Sequence, residues 1–350
     1  MKHLFLVNSN FTMQMALKVI EHDKLSLCDC GFFCTRKYHI PADFNIPEDR
    51  IAAFDFLDSM KTTTLKQCFL QSLKIFSNYA TVKRIDRAVE ALTGNEPFEL
   101  YLYHGREYCC DLVVTHKNCL HYSYLEEGTL AYSVAMDIDR KLSPFKKFLL
   151  HWFMRAVFMN RAMIFDRDIA YDFRLKKFRT VYCSNQLAFP LCEEKTVAGM
   201  PFAKTDDFPE DLQHVIVFDG GIVSNENQKK SLQKNVEHAM QRGGKKIYYK
   251  FHPGFTEDIR ADYRQYFELL EGTYGVKAVE LPNEACLENI AYTLQDKLSL
   301  YVICSSVGVY AALCGSKVYC TANDFIENSP KLQKFFRVIP GKLFEKFIFI

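Results

Sequence analysis

The sequence predicts an α/β protein built from two parallel-sheet domains, and three observations carry that expectation. Short runs rich in β-branched and aromatic residues alternate with longer segments of helical period, the pattern of β-α-β units. A chain of 350 residues, 49% hydrophobic and 25% charged, has enough apolar material for two cores. Between the two series, Phe178 to Asp211 carries Pro190, Gly199, Pro201 and Pro209 with little periodicity, which marks a boundary. The domains are expected at 1–190 and 205–325, followed by a tail at 326–350.

In the first half, Leu4 to Val7 reads as a buried strand, Asn8-Ser9-Asn10 as a polar turn and Thr12 to Glu21 as a helix with apolar Met15, Leu17, Val19 and Ile20. Gly31 to Thr35 is the next expected strand, Lys61 to Tyr79 a helix, and Glu99 to Tyr103 another strand. Asp111 to Thr115 and His121 to Leu125 continue the strands. The second half is clearer. His214 to Phe218 reads as a strand, Asp219-Gly220-Gly221 as a turn, and Ser224 to Arg242 as a long helix stopped by Gly243-Gly244. Strands follow at Lys246 to Phe251, Val276 to Leu281 and Ser299 to Cys304, with helices at Asp258 to Leu270 and Glu284 to Leu294. Lys317 to Cys320 is expected to close the sheet.

Composition excludes several classes. With 44 Lys plus Arg against 42 Asp plus Glu, a net charge of +2 rules out a dominant polyanion-binding surface, although not a local patch. The 13 cysteines are scattered and include the adjacent Cys109 and Cys110, which suits a reducing compartment better than a disulfide framework. No run reaches the roughly 20 apolar residues of a membrane span, and Leu4 to Val7 is too short for a signal-peptide core. A cytoplasmic protein is therefore expected.

Four candidate sites fall at expected strand ends, where ligands gather in parallel sheets. The first is Glu126-Glu127-Gly128. Two adjacent carboxylates repel, one pKa rises, and the result is a base able to take a proton from a sugar hydroxyl, while the glycine lets backbone approach the ligand. The competing reading is a solvated acidic turn. The second is His252-Pro253-Gly254, in which an imidazole could donate to a leaving phosphate and the proline fixes the backbone after it. Ser305-Ser306, at an expected helix start, would offer hydroxyls and free N–H groups to a phosphate, or simply cap the helix. Glu284 and Glu288 stand at another helix start, where a glutamate would hold a ribose or complement the helix dipole.

The joint order of these pieces resembles the bacterial sialyltransferases of GT-B fold, glycosyltransferase families 38, 52 and 80, with motifs (Asp/Glu)-(Asp/Glu)-Gly, His-Pro and Ser/Thr-Ser. The resemblance spans nearly the whole chain, and it implies two Rossmann-like domains facing across a cleft. It implies that Glu126 is the general base, positioned by Glu127 and Gly128, and that His252, held by Pro253, binds the leaving phosphate of CMP. Ser305 and Ser306 would grip that phosphate, Glu288 or less favourably Glu284 the ribose, and Gly220 and Gly221 would line the nucleotide site. The implied reaction is metal-independent, inverting transfer from CMP-sialic acid to a galactoside or sialoside of a bacterial surface glycan, with no cofactor. This chain departs from the motifs in carrying Glu-Glu rather than Asp-Asp and Gly254 where a basic residue often stands.

Other donors, CMP-Kdo or a UDP-sugar, fit the same phosphate-binding motifs, and a non-catalytic nucleotide- or glycan-binding protein of this fold is the alternative class. Asp137-Ile138-Asp139 and Asp166-Arg167-Asp168 match the metal-binding DxD triplet, and Cys28, Cys30, Cys34 and His39 could be read as zinc ligands, although buried free thiols explain the cysteines better. From Arg140 to Arg179, basic residues such as Lys146, Lys147 and Arg155 interleave with Phe145, Phe148 and Trp152. This suits an amphipathic interdomain helix, a nucleic-acid groove or a face on anionic lipid; no nucleic-acid partner is expected. The basic, apolar tail would return to the first domain or touch the inner membrane, beside a lipid-linked acceptor.

Overall fold

The computed structural model describes residues 1–54, 75–134, 143, 145, 148–149, 151–152, 155, 158–161, 164–165, 169–221, 223–252 and 254–350. Most of the helix expected at Lys61 to Tyr79, both DxD triplets and Pro253 lie outside the described residues. The chain divides into two units, Met1–Pro201 and Phe202–Ile350, with the division inside the proline-rich stretch.

Unit 1 contains, in chain order, β1 (Lys2–Val7), α1 (Asn10–His22), β2 (Cys30–Cys34), β3 (Ile51–Ala53), α2 (Ile75–Thr93), β4 (Phe98–Leu102), α3 (Tyr108–Val114), β5 (Cys119–Leu125), β6 (Phe178–Cys183) and β7 (Lys195–Val197). Among the described residues, its seven strands pair in parallel, in the order β3-β2-β1-β4-β5-β6-β7. Burial on both faces explains the apolar runs Leu4 to Val7 in β1, Cys30 to Cys34 in β2 and Leu100 to Leu102 in β4, while Glu99 of β4, also buried, is paired with Arg179. On one face Phe5, Phe32, Tyr101 and Tyr182 pack with Met13, Ala16 and Val19 of α1, and the Phe5 and Tyr101 rings stack at 4.2 Å. Ser9 starts α1 with a reciprocal cap to Thr12.

Two expectations for unit 1 need correction. The stretch Asp111 to Val114 is helical, as part of α3, and Thr115 caps it, because β4 and β5 are parallel neighbours and the chain between them must cross over the sheet. A short apolar run has no period to distinguish the two states. Phe178 to Asp211 is not simply a linker either, since β6 and β7 extend the first sheet.

Unit 2 repeats the plan with β8 (His214–Val217), α4 (Asn225–Gln241), β9 (Lys246–Lys250), α5 (Glu257–Tyr274), β10 (Lys277–Glu280), α6 (Leu287–Leu294), β11 (Ser299–Val302), α7 (Ser306–Leu313), β12 (Lys317–Cys320), α8 (Pro330–Val338) and β13 (Phe347–Phe349). Its parallel order is β10-β9-β8-β11-β12-β13. β12 is therefore not the edge: the tail returns through α8 and adds β13 to the sheet of its own unit. Leu232 and Val236 of α4 and Phe267 and Leu270 of α5 cover Ile216, Ile247 and Tyr249, with Tyr249 and Phe267 stacked at 4.0 Å. Among the described residues, no helix is long and apolar enough to cross a membrane.

Phe5 is fully buried against Tyr101, so Phe5→Ala should destabilise the protein by about 3–5 kcal/mol, the usual cost of emptying an aromatic core site. Denaturant unfolding read by far-ultraviolet dichroism measures it, and a cost under about 1 kcal/mol would show that this stack does not hold the first sheet.

Candidate active site

Both sheets reverse their strand order once, between β1 and β4 in unit 1 and between β8 and β11 in unit 2. At such a point the connections leave in opposite directions and open a crevice at the carboxyl ends of the strands. The candidate residues of each unit lie at those ends.

In unit 1, β5 runs into Glu126, Glu127 and Gly128, whose φ of +57° is the left-handed conformation that glycine adopts without strain. The turn gives the two carboxylates opposite surroundings. Glu126 is fully buried, and its carboxylate accepts from the hydroxyl of Tyr132 at 2.6 Å, the hydroxyl of Ser184 at 3.1 Å and the N–H of Ser184 at 2.5 Å. It ties the turn to the end of β6. Glu127 instead faces a polar cluster gathered from other strand ends. Asn8, after β1, donates to its Oε1 at 2.7 Å, and Arg36, after β2, lies 3.2 Å from the same oxygen. His104, after β4, comes within 3.8 Å of Oε2.

One cation serves two carboxylates here. Arg36 donates to Glu107 at 2.6 Å through Nε and to the ring nitrogen Nε2 of His104 at 2.6 Å, and its guanidinium lies 5.2 Å from the Tyr103 ring centre. Glu107 also accepts from Tyr103 at 2.5 Å. Burial is the largest influence on Glu107 and works against its charge, but Arg36 and the other partners, the Tyr103 hydroxyl among them, together outweigh it and hold the carboxyl below its usual range. Burial pushes His104 down to about 3, so it stays neutral and can accept from Arg36. Glu127 is left with the weaker share of Arg36, and burial pushes its carboxyl up to about 7 against the pull of Arg36 and Asn8. A carboxyl that titrates near neutrality is suited to take a proton and release it.

In unit 2, the loops after β8, β9 and β11 are joined. The buried carboxylate of Asp219 accepts from the N–H groups of Ile303 at 3.0 Å and Cys304 at 3.2 Å, immediately before Ser305, and burial pushes its pKa up to about 6. Gly220 packs against His252 so closely that a Cβ there would lie 2.7 Å from Nε2 of the ring. Gly221 has a φ of +75°. The N–H of Gly254 donates to Nδ1 of His252 at 3.0 Å, which leaves the proton of the neutral ring on Nε2, and partial burial lowers the pKa.

Ser305 caps α7 by accepting from the N–H of Val307 at 3.3 Å, with Ser306 as the first helical residue. Gly308 lets this helix sit down on β11, since a Cβ would meet Val302 at 3.1 Å. The helix start thus offers N–H groups and hydroxyls at the same sheet edge as His252. Glu284 is exposed, whereas Glu288 is half-buried in the first turn of α6, where Cys286 approaches it at 3.6 Å. Lys250 binds the backbone oxygens of Asn283 and Ala285 and fixes this turn to the end of β9; burial lowers its pKa against the attraction of Glu288.

The structure thus brings Gly220 against His252 and ties Asp219 to the backbone before Ser305, whereas Glu126 and Glu127 belong to the other unit. Sequence reasoning missed Asn8, Arg36, His104, Glu107 and Asp219. All but Glu107 lie within two residues of an expected or observed strand end, so scanning every strand end, rather than recognisable motifs alone, would have found them. Among the described residues, no group of three or more His, Cys, Asp or Glu is arranged to hold a metal ion, the Cys28, Cys30 and Cys34 set included.

No protein-family model matches the chain, and no curated protein sequence matches it. Solved structures do. A Listeria monocytogenes protein described as a UDP-N-acetylglucosamine 2-epimerase aligns over 97% of this chain and 91% of its own, with 11% identity and a TM-score of 0.52. The UDP-GlcNAc 2-epimerase of Methanocaldococcus jannaschii aligns over 97% and 92%, with 12% identity and a TM-score of 0.48. A sialyltransferase from Photobacterium damsela aligns over 99% and 81%, with 12% identity and a TM-score of 0.48. The fold is of the GT-B type, two Rossmann-like α/β units in sequence. At these identities the likeness is one of fold alone.

Asp219→Ala should leave two buried N–H groups without an acceptor and cost unit 2 about 2–4 kcal/mol, with Asp219→Asn costing less because it keeps one oxygen. Chemical denaturation of the three proteins tests this, and equal stability of the alanine variant would mean that Asp219 does not hold the loops together. Gly220→Ala should displace the His252 ring, read as a changed imidazole chemical shift and titration midpoint by nuclear magnetic resonance. An unchanged His252 signal would show that the ring does not depend on glycine there.

Proposed function

We propose that the chain is an inverting glycosyltransferase in which unit 2 holds a nucleotide-sugar donor and unit 1 activates the acceptor hydroxyl. The observation that carries this reading is the placement of Glu127, at the end of β5, among Asn8, Arg36 and His104 from the ends of β1, β2 and β4, where burial pushes its carboxyl up to about 7. In the reaction, Glu127 takes the proton of an acceptor hydroxyl, whose oxygen attacks the anomeric carbon as the bond to the donor phosphate breaks. Configuration inverts. The charge that develops on the leaving phosphate is met by the Nε2–H of His252 and by the hydroxyls and N–H groups at Ser305 and Ser306. Glu288 would accept from the ribose hydroxyls.

This division of labour reverses the one the resemblance implies for the acidic pair. Glu126, buried and already accepting three hydrogen bonds, acts as the anchor of the turn, and the base is its neighbour. The leading donor is CMP-sialic acid, from the order of the Glu-Glu-Gly, His-Pro and Ser-Ser motifs, with a galactoside or sialoside of a bacterial surface glycan as acceptor. The fold likeness to a UDP-N-acetylglucosamine 2-epimerase keeps a UDP-sugar as the second reading. The reaction as drawn uses no metal or other cofactor, so chelation should leave it unchanged.

Calorimetric titration with CMP, UDP, GDP and CMP-sialic acid, followed by nucleotide release in the presence of galactosides and sialosides, tests the donor. Selective CMP binding with acceptor-dependent release is expected; preference for UDP would move the donor, and no nucleotide binding would refute the enzyme reading. Glu127→Gln should lower kcat by about 10²–10⁴-fold while leaving nucleotide affinity within a few-fold. Because the base must be unprotonated, kcat/KM should rise with pH through about 7 in the wild type. His252→Ala should cost about 3 kcal/mol of transition-state stabilisation. A wild-type rate in either variant would remove that residue from the mechanism.

A further inference from the structure

Between Arg140 and Phe165 the chain carries six basic residues and no Asp or Glu, in a protein whose net charge is +2. Within this stretch Phe145, Phe148 and Trp152 are helical and 69%, 65% and 59% exposed. Their spacing of three and then four residues places them on one helix face, together with half-buried Leu149. Large aromatic side chains exposed on consecutive turns are unusual for a protein surface and mark a place of contact.

The stretch is fastened to unit 1 at its far end. Arg161 donates to Asp86 at 2.8 Å, to Thr115 at 3.1 Å and to the carbonyl of Leu112 at 2.5 Å. Phe158 is buried and stacks on Tyr108 at 5.5 Å, and the N–H groups of Ile164 and Phe165 donate to the buried carboxylate of Asp111. An aromatic helix face is thus presented from an anchored base.

We infer that this face docks on an anionic lipid bilayer, with the aromatic rings entering the boundary between headgroups and acyl chains and the basic residues that neighbour them in the sequence, Lys146 and Lys147 above all, attracted to lipid phosphates. Charge and apolarity point to the same partner: an uninterrupted basic stretch seeks an anionic surface, and rings projecting from one side of a helix suit insertion into a plane. A groove for single-stranded nucleic acid would instead track a backbone and stack successive bases. The contact stands independently of the transferase chemistry.

Trp152 is the one tryptophan of the chain, so its fluorescence reports this face alone. With vesicles of phosphatidylcholine and phosphatidylglycerol, the emission of the full-length protein should shift to the blue and be quenched by brominated acyl chains. Phosphatidylcholine vesicles without the anionic lipid should have little effect. Phe145→Ser combined with Phe148→Ser should abolish the shift at an unchanged melting temperature, and Lys146→Glu combined with Lys147→Glu should weaken it at least tenfold in lipid concentration. The inference is overturned by unchanged emission with anionic vesicles, by equal shifts with both lipid types or by a shift that survives both double variants. It is likewise overturned if a single-stranded oligonucleotide, and not the vesicles, moves the emission.

Discussion

Parallel pairing is the constraint on which the rest of the structure depends. Every strand of each sheet runs the same way, so each connection must cross back over a face and every strand delivers its last residues to the same edge. The apolar runs of β1, β4, β8 and β11 follow from burial beneath those crossovers. So does the gathering of Asn8, Arg36, His104 and Glu127 at one edge of unit 1, and of Asp219, His252 and Ser305 at one edge of unit 2. Polar groups that are far apart in the chain meet because the sheet brings its ends together.

What that edge can do is decided by burial and by how Arg36 is shared. Arg36 is shared by Glu107 and Glu127, and Glu107 has the better of it, with a shorter contact and the Tyr103 hydroxyl besides. The neutral His104 takes a further donor of Arg36 without returning any charge to the cluster. Burial then decides the state of Glu127. In unit 2 the main devices are steric and hydrogen-bonding: the missing side chain of Gly220 admits the imidazole, and Asp219 spends its carboxylate on the backbone that leads to the helix start.

Much of this was legible in the sequence, and the gaps have physical reasons. The strands around Leu4 to Val7, His121 to Leu125 and His214 to Phe218, and the motif residues Glu126, Glu127, His252 and Ser305, stand out because each signal lies within a few neighbouring residues. The helix at Tyr108–Val114 was misread because seven residues give too little period, and only the parallel pairing of β4 with β5 demands a crossover there. β6 escaped notice among prolines and glycines, although Thr180-Val181-Tyr182 is a β-favouring run. The roles within the acidic pair were out of reach, because Ser184 and Arg36, which separate the two carboxylates, stand 58 and 91 residues away in the chain.

The central claim is that the cluster around Arg36 leaves Glu127 a proton acceptor poised near neutrality. Its most direct test is a titration of the side-chain carboxyl carbons by carbon-13 nuclear magnetic resonance, with Glu127→Gln to identify the resonance. A midpoint close to 7 for Glu127 is expected. A midpoint near the ordinary glutamate value of about 4.3 would contradict the account, since the cluster would then hold Glu127 as a fixed charge and leave it no advantage as a base.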